Sequence, residues 1–276
     1  MRMNFGSLFW RLELRKFIYF LIMQESRETV MYLKVQALVL RITDYNDTDA
    51  LLSLLTSQQG KLTAKVRGLR RKNSPMVAPC QLLCYSEFVL YENKGFYTVN
   101  EARTIEIFQP LRKDLTKLSL ATYFAQVAEV LSQGDFPDSS LLSLTLNSMY
   151  ALSKLNYTET KVKAVFELRC ACIAGYEPDL TGCVNCGASL PDRFDISAGV
   201  LECNSCRDYE SSGIRFPVTA GMLDAMRFIC FAPMQRIFSF ELETTTMEAL
   251  SALSESYLST QLERGFSALD FYKSLQ

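Results

Sequence analysis

Two Cys-x-x-Cys pairs, Cys183/Cys186 and Cys203/Cys206, stand sixteen residues apart in a 276-residue chain that contains no histidine. Each pair sets two thiolates on one tight turn, so both reach a single ion, and two such turns close a tetrahedron. The segment between them is long enough for a hairpin. Gly187 follows the first turn where a left-handed residue is wanted, and Ala198-Gly199 supplies a turn between short strands within Ile196–Leu201. The pattern predicts one structural Zn2+ held by sulfur alone. Four cysteines fill the coordination shell and leave no open position for a catalytic water. The spacing leaves four buried thiols or two disulfides as alternatives. A thioredoxin-like redox centre would carry one Cys-x-x-Cys at a helix start, not two at ribbon spacing.

The missing histidine removes the commonest general base and the usual pH switch, and excludes Ser-His-Asp and Cys-His catalysis. No paired carboxylates form a convincing catalytic motif either, so the chain is expected not to be an enzyme. The apolar segment Phe5–Met23 is broken by Arg11, Glu13, Arg15 and Lys16, and its uncharged run Phe17–Gln24 falls far short of the roughly 20 residues that span a bilayer. No small-residue cleavage site follows it. Residues 1–30 are therefore read as an appendage, such as one from an upstream start codon, with an interfacial amphipathic helix as the alternative. Without an export signal the nine cysteines belong in a reducing, cytoplasmic compartment. The five outside the double motif, Cys80, Cys84, Cys170, Cys172 and Cys230, are read as core residues; Cys170 and Cys172 are two apart on a predicted helix and share no face.

From Tyr32 the chain reads as strands: Tyr32–Thr43, Ala50–Thr56, Leu62–Arg67, Leu82–Tyr91 and Phe96–Phe108. Asp44–Asp49, Gln58-Gln59-Gly60 and Asn93-Lys94-Gly95 supply turns, and a longer loop runs from Gly68 to Pro79. A small closed or nearly closed barrel best protects so few edges. Near Gln109-Pro110 the period becomes helical. Helices are predicted over Leu111–Ser132, from an Asp138-Ser139 cap to Leu155, from Thr158 to Ala174, from Thr219 to Phe231 and over Thr244–Arg264, with Gly265–Gln276 as a short amphipathic tail. The expected organisation is multidomain α+β: an extension over residues 1–30, a barrel over 31–110, a helical domain in two parts (111–178 and 217–276), and a cysteine insert over 179–216 between them.

Net charge is −1, but residues 32–110 carry ten Lys/Arg against seven Asp/Glu, whereas residues 111–276 carry fourteen against twenty. A polyanion partner is therefore sought on the barrel. Lys61, Lys65, Arg67, Arg70, Arg71 and Lys72 form a run with no acid among them. The first three share one strand face and the rest lie on the loop after Gly68, the form of a groove that tracks a phosphate backbone. A solvated strand edge protected by charge would look similar. Tyr85, Phe88, Tyr91, Phe96 and Tyr97 lie on the last two strands; base stacking is open to them, but core packing is the reading for most.

Taken together, these residues resemble the RecO family. Val66-Arg67-Gly68-Leu69-Arg70-Arg71-Lys72-Asn73-Ser74 is similar to its basic signature, and Asp44-Tyr45-Asn46-Asp47-Thr48-Asp49 with Leu54-Leu55-Thr56…Gly60 to its opening. The four-cysteine insert after three helices and the ending Gly265-Phe266-Ser267-Ala268-Leu269-Asp270-Phe271 fit as well. The resemblance covers about residues 31–276 and departs at Arg67, where members often carry Lys. It implies an N-terminal OB-fold barrel of five strands, a helical domain and an inserted four-cysteine zinc ribbon. It also implies a nucleoid-associated mediator of DNA repair and recombination that binds single- and double-stranded DNA and anneals complementary strands. With RecR it would displace single-strand-binding protein so that RecA can load. A zinc-ribbon transcription or protein-interaction factor is the alternative, and a metalloenzyme acting on nucleic acid a third reading.

Overall fold

The computed structural model of the chain describes residues 31–132, 139–155, 157–206 and 213–276. The extension expected over residues 1–30 lies outside them. Strands β1 (Met31–Asp44), β2 (Ala50–Thr56), β3 (Lys61–Val66), β4 (Tyr85–Asn93) and β5 (Phe96–Glu106) close a barrel in the order β1-β2-β3-β5-β4. The closing contact between β3 and β5 is parallel, through Ala64↔Tyr97 and Lys65↔Thr98. This is a five-stranded OB-fold barrel.

Strands β1 and β2 show little polar/apolar alternation because both of their faces are buried. Val35, Ala37 and Val39 point into the barrel with Leu52, Leu54, Phe88 and Leu90. Leu38, Leu40 and Leu55 point the other way and join the core of the helical domain. A strand covered on both faces reads as a continuous apolar run.

Two expected boundaries move. β4 begins at Tyr85, not Leu82, because Leu83 turns the chain with φ 62°. Its N–H bonds Val39 O at 2.9 Å, while Val39 N–H bonds Cys84 O at 3.0 Å. The first helix begins at Leu115, not Leu111: a 3-10 turn over Gln109–Lys113 precedes it, and the Asp114 carboxylate restarts the chain by accepting Lys117 N–H at 3.1 Å.

The helices are α1 (Leu115–Leu131), α2 (Ser139–Lys154), α3 (Glu159–Ile173), α4 (Ala220–Phe231), α5 (Thr244–Leu262) and α6 (Ser267–Ser274). Thr158 and Thr219 cap α3 and α4 by accepting the N–H groups of Lys161 and Met222. Phe124 and Phe166 stack at 4.1 Å in the core these helices enclose. A buried polar cluster crosses it: Lys163 Nζ lies 3.1 Å from Glu167 and 2.8 Å from Glu255, and Tyr123 donates to Glu167 at 2.9 Å. Of the five cysteines outside the double motif, Cys80, Cys84, Cys170 and Cys230 are buried and Cys172 is half-buried.

Between α3 and α4 the chain forms a ribbon of β6 (Asp179–Cys183), β7 (Arg193–Asp195), β8 (Val200–Glu202) and β9 (Arg215–Pro217), in sheet order β6-β8-β7-β9. Leu180, Phe194, Ile196 and Leu201 join its inner side to the helical core, and Phe194 meets Tyr257 edge-on at 5.3 Å. The turn between β7 and β8 requires glycine twice over. Gly199 has φ 69°, and a Cβ there would sit 2.7 Å from the Tyr257 hydroxyl oxygen, which donates to Tyr176 O at 2.9 Å.

Candidate nucleic-acid interface and metal centre

The β1–β2 turn is organised by Asn46, whose side-chain carbonyl accepts the N–H groups of Thr48 at 3.0 Å and Asp49 at 2.7 Å. That turn aims the nearly buried Asp49 carboxylate at the end of β3. Asp49 accepts Gly68 N–H at 2.9 Å and pairs with Lys65 Nζ at 2.9 Å. The Gly68 N–H is the largest cause, and Lys65 the next favourable one, that holds this carboxyl well below the usual range. Thr48 O accepts Arg70 N–H at 3.0 Å, and Arg70 Nη1 reaches Asp44 at 2.9 Å. The acidic run before β2 is thus the clamp that sets the basic loop after β3.

The odd-numbered residues of β3 face outward, as their spacing predicts. Lys65 lies 4.4 Å above the Tyr45 ring. Arg67, Arg71 and Lys72 are exposed and have no acidic partner among the described residues. The Arg71 side chain lies over Gly68, where a Cβ would come within 3.0 Å of Arg71 Cδ. Lys61 differs from the other five. Its ammonium donates to Glu129 O on α1 at 3.2 Å, and the Glu129 carboxylate holds Arg41 Nε at 2.9 Å, so Lys61 stands at the seam between barrel and helices. Sequence reading gave Asp44 and Asp49 no part in the site, placing their run in a turn and in the family's opening motif; the hint was an acidic run before β2 and a basic run after β3, which the antiparallel pairing Ala50↔Val66 brings to one end. Of the five aromatics on β4 and β5, Phe88 is in the barrel core, Tyr85, Tyr91 and Tyr97 are half-buried, and Phe96 is exposed.

The four thiols of Cys183, Cys186, Cys203 and Cys206 come together with all Sγ atoms within 4.8 Å of one another. Sulfurs at about 2.3 Å from a tetrahedral zinc stand about 3.8 Å apart; Cys186 and Cys203 Sγ are 3.8 Å apart, far from a disulfide length. The two turns are tied by Cys203 N–H to Cys183 Sγ at 3.3 Å and by Asn185 Nδ2 to Cys206 O at 3.1 Å. The N–H of Cys186, more than that of Cys203 or Asn185, brings the Cys183 thiol down to about 6. Burial first, and the neighbouring thiols next, push Cys203 up to about 12. Such a set resists full ionisation alone and suits a soft dication. Gly187, with φ 73°, donates its N–H to Cys183 O at 2.8 Å, as the sequence predicted.

Among the described residues no helix is long and apolar enough to cross a membrane. Comparison with known proteins gives two family matches: "Recombination protein O N terminal" over residues 31–108 and "Recombination protein O C terminal" over residues 112–270. A curated relative from Acetivibrio thermocellus, called DNA repair protein RecO, is 34% identical over 247 residues, covering 88% of this chain and 97% of its own length. Its namesake from Alkaliphilus metalliredigens is 29% identical over 248 residues, covering 89% and 100%. One from Heliobacterium modesticaldum is 38% identical over 185 residues, covering 64% and 67%.

Proposed function

The chain belongs to the RecO family of DNA repair proteins, and from that premise we propose that it is a non-catalytic recombination mediator. It binds single- and double-stranded DNA and anneals complementary strands. With RecR it helps to load RecA onto single strands coated by single-strand-binding protein, in the cytoplasm at the nucleoid. The observation that carries the DNA-binding part is the cationic end of β3, clamped from below by Asp44 and Asp49. The phosphate path follows Lys65, Arg67, Arg70, Arg71 and Lys72 and stops short of Lys61, whose ammonium is turned to Glu129 O. The Arg70–Asp44 pair is exposed on both sides, so it contributes little to folding and can exchange for a phosphate. Annealing needs two polyanions held together with their charge screened, and a fixed cationic loop supplies that.

The four cysteines, in this reading, hold one structural Zn2+ that fixes the ribbon; their shell has no room for a reacting water. The test is strand annealing by the full chain, with and without single-strand-binding protein and RecR, comparing the unaltered protein with an Arg70→Ala, Arg71→Ala, Lys72→Ala variant. Loss of annealing and of RecR-dependent action on coated strands is expected. Full annealing by the variant would move the DNA surface away from the barrel and favour a ribbon that meets the partner.

A further inference from the structure

The strand register sets one row of outward side chains across the barrel. Tyr32 on β1 is opposite Tyr91 on β4, Tyr91 is opposite Thr98 on β5, and Thr98 is opposite Lys65 on β3. Directly opposed residues share a face, and inward neighbours such as Val35, Leu90, Val99 and Ala64 show that this face is the outer one. With strands about 4.8 Å apart, three steps carry the row across about 14 Å. Phe96, the first residue of β5, lies two residues before Thr98 and so on the same face. Tyr45 ends the row beneath the Lys65 ammonium.

All of these rings but the half-buried Tyr91 are left in water. Phe96 is 79% exposed, and Tyr32 and Tyr45 are each 57% exposed. Tyr32 and Tyr91 stand 6.0 Å apart at a tilt of 51°, a geometry that leaves ring face uncovered. Aromatic area gathered on one surface of a closed barrel marks a binding face. It runs directly into the cationic loop, since Lys65 belongs to both.

We infer that this aromatic row, from the Tyr32/Tyr91 pair past Phe96 to Tyr45, is a base-stacking surface selective for single-stranded nucleic acid. The inference rests on the DNA-binding reading above and adds the half of the ligand that the basic loop does not touch. Tyr32, Tyr91 and Phe96 each offer a π-face to an unpaired base, and Lys65, held by Asp49 over the Tyr45 ring, sets a positive charge at the end of the row where the phosphates pass. A duplex keeps its bases stacked inside and gains nothing from the rings. Stacking also holds a base by its face and leaves its pairing edge open, the state a strand must be in to meet its complement.

The test uses the full chain with oligo(dT) and a duplex of equal length as probes. Phe96→Ala and Tyr32→Ala should each weaken oligo(dT) binding about tenfold, within the range for loss of one stacked base. Duplex affinity and the salt dependence of binding should stay unchanged. Phe96→Trp should retain affinity and report oligo(dT) by quenching of the new indole, measured above the background of Trp10. If both alanine variants bind oligo(dT) fully while loss of Arg70, Arg71 and Lys72 abolishes binding, the row is not the site and the DNA-binding reading stands. Equal losses on duplex and single strand would also overturn the stacking role. If neither set of changes weakens binding, both readings fail.

Discussion

The carboxylate of Asp49 accepts the backbone N–H of Gly68 at 2.9 Å, nineteen residues along the chain, and by this bond an acidic turn fixes a basic loop. Asp49→Ala should therefore leave the barrel folded but release Gly68 and Lys65, lowering single-strand affinity without changing the number of cationic side chains. Asp49 has a depressed folded pKa, so its contacts stabilise the protein above the usual aspartate value of 3.8 and are lost as the pH falls from there through the folded value. Thermal melts of the unaltered protein and Asp49→Asn should differ at neutral pH and converge in strong acid. A gap that persists in acid would show that the ionised carboxylate is not its source.

Lys61 and its five basic neighbours should separate in a salt titration. Single-strand binding loses about 0.7 in the slope of log K against log salt per phosphate neutralised. Engagement of Lys65, Arg67, Arg70, Arg71 and Lys72 gives a slope of roughly −3.5, and alanine at the last three brings it to about −1.4. Lys61→Ala should leave the slope alone, because its ammonium is turned to Glu129 O at the seam between barrel and helices, away from the loop that carries Arg70, Arg71 and Lys72. Its effect should be on stability, measured by urea unfolding.

Elemental analysis of protein purified without chelators should find one zinc per chain. Cys183→Ser or Cys203→Ser should lose the metal and yield insoluble or partly unfolded protein, since ribbon folding draws on the order of 10 kcal/mol from the ion. Cys183 is the more severe site of the two, because its sulfur also accepts Cys203 N–H. Unchanged metal content and solubility in both would remove zinc from the account.

Glu167 shares one buried ammonium, Lys163, with Glu255, which also pairs with Lys273 at the surface, so two carboxylates compete for Lys163 in the helical core. Burial is the largest cause that raises the Glu167 carboxyl from 4.5 to about 7. With the folded value raised, its contribution is fully present below 4.5 and is lost as the pH rises through about 7. Over that window the unaltered protein should lose on the order of 3 kcal/mol relative to Glu167→Gln, read from urea midpoints across pH. Parallel curves for the two proteins would refute the shift.

What the sequence made legible was local. Each Cys-x-x-Cys turn, the Thr158 and Thr219 caps and the left-handed Gly187 are set by residues within a few positions, and the structure has them where they were expected. The alternation of Lys61, Lys65 and Arg67 told which way β3 faces, but not that Lys61 would be met by a helix 68 residues later. Leu82 and Leu83 have strand composition, yet Leu83 takes a left-handed turn because its N–H is claimed by Val39 O. Asp49 was passed over for the same reason: its partners are fixed by strand pairing, which no single stretch records. Phe96 belongs to an apolar strand pattern like its neighbours, and only the register shows that its ring faces outward.

The double burial of β1 has a consequence for how the protein is made. The ribosome delivers the barrel first, and Leu38, Leu40 and Leu55 then wait for the helices that cover them. From the end of β5 at Glu106 to the end of α2 at Lys154 is 48 residues, roughly 2–10 s of synthesis at 5–20 residues per second. For that interval a closed barrel presents a leucine face to water, the kind of exposed apolar surface that makes a partly made chain prone to aggregation.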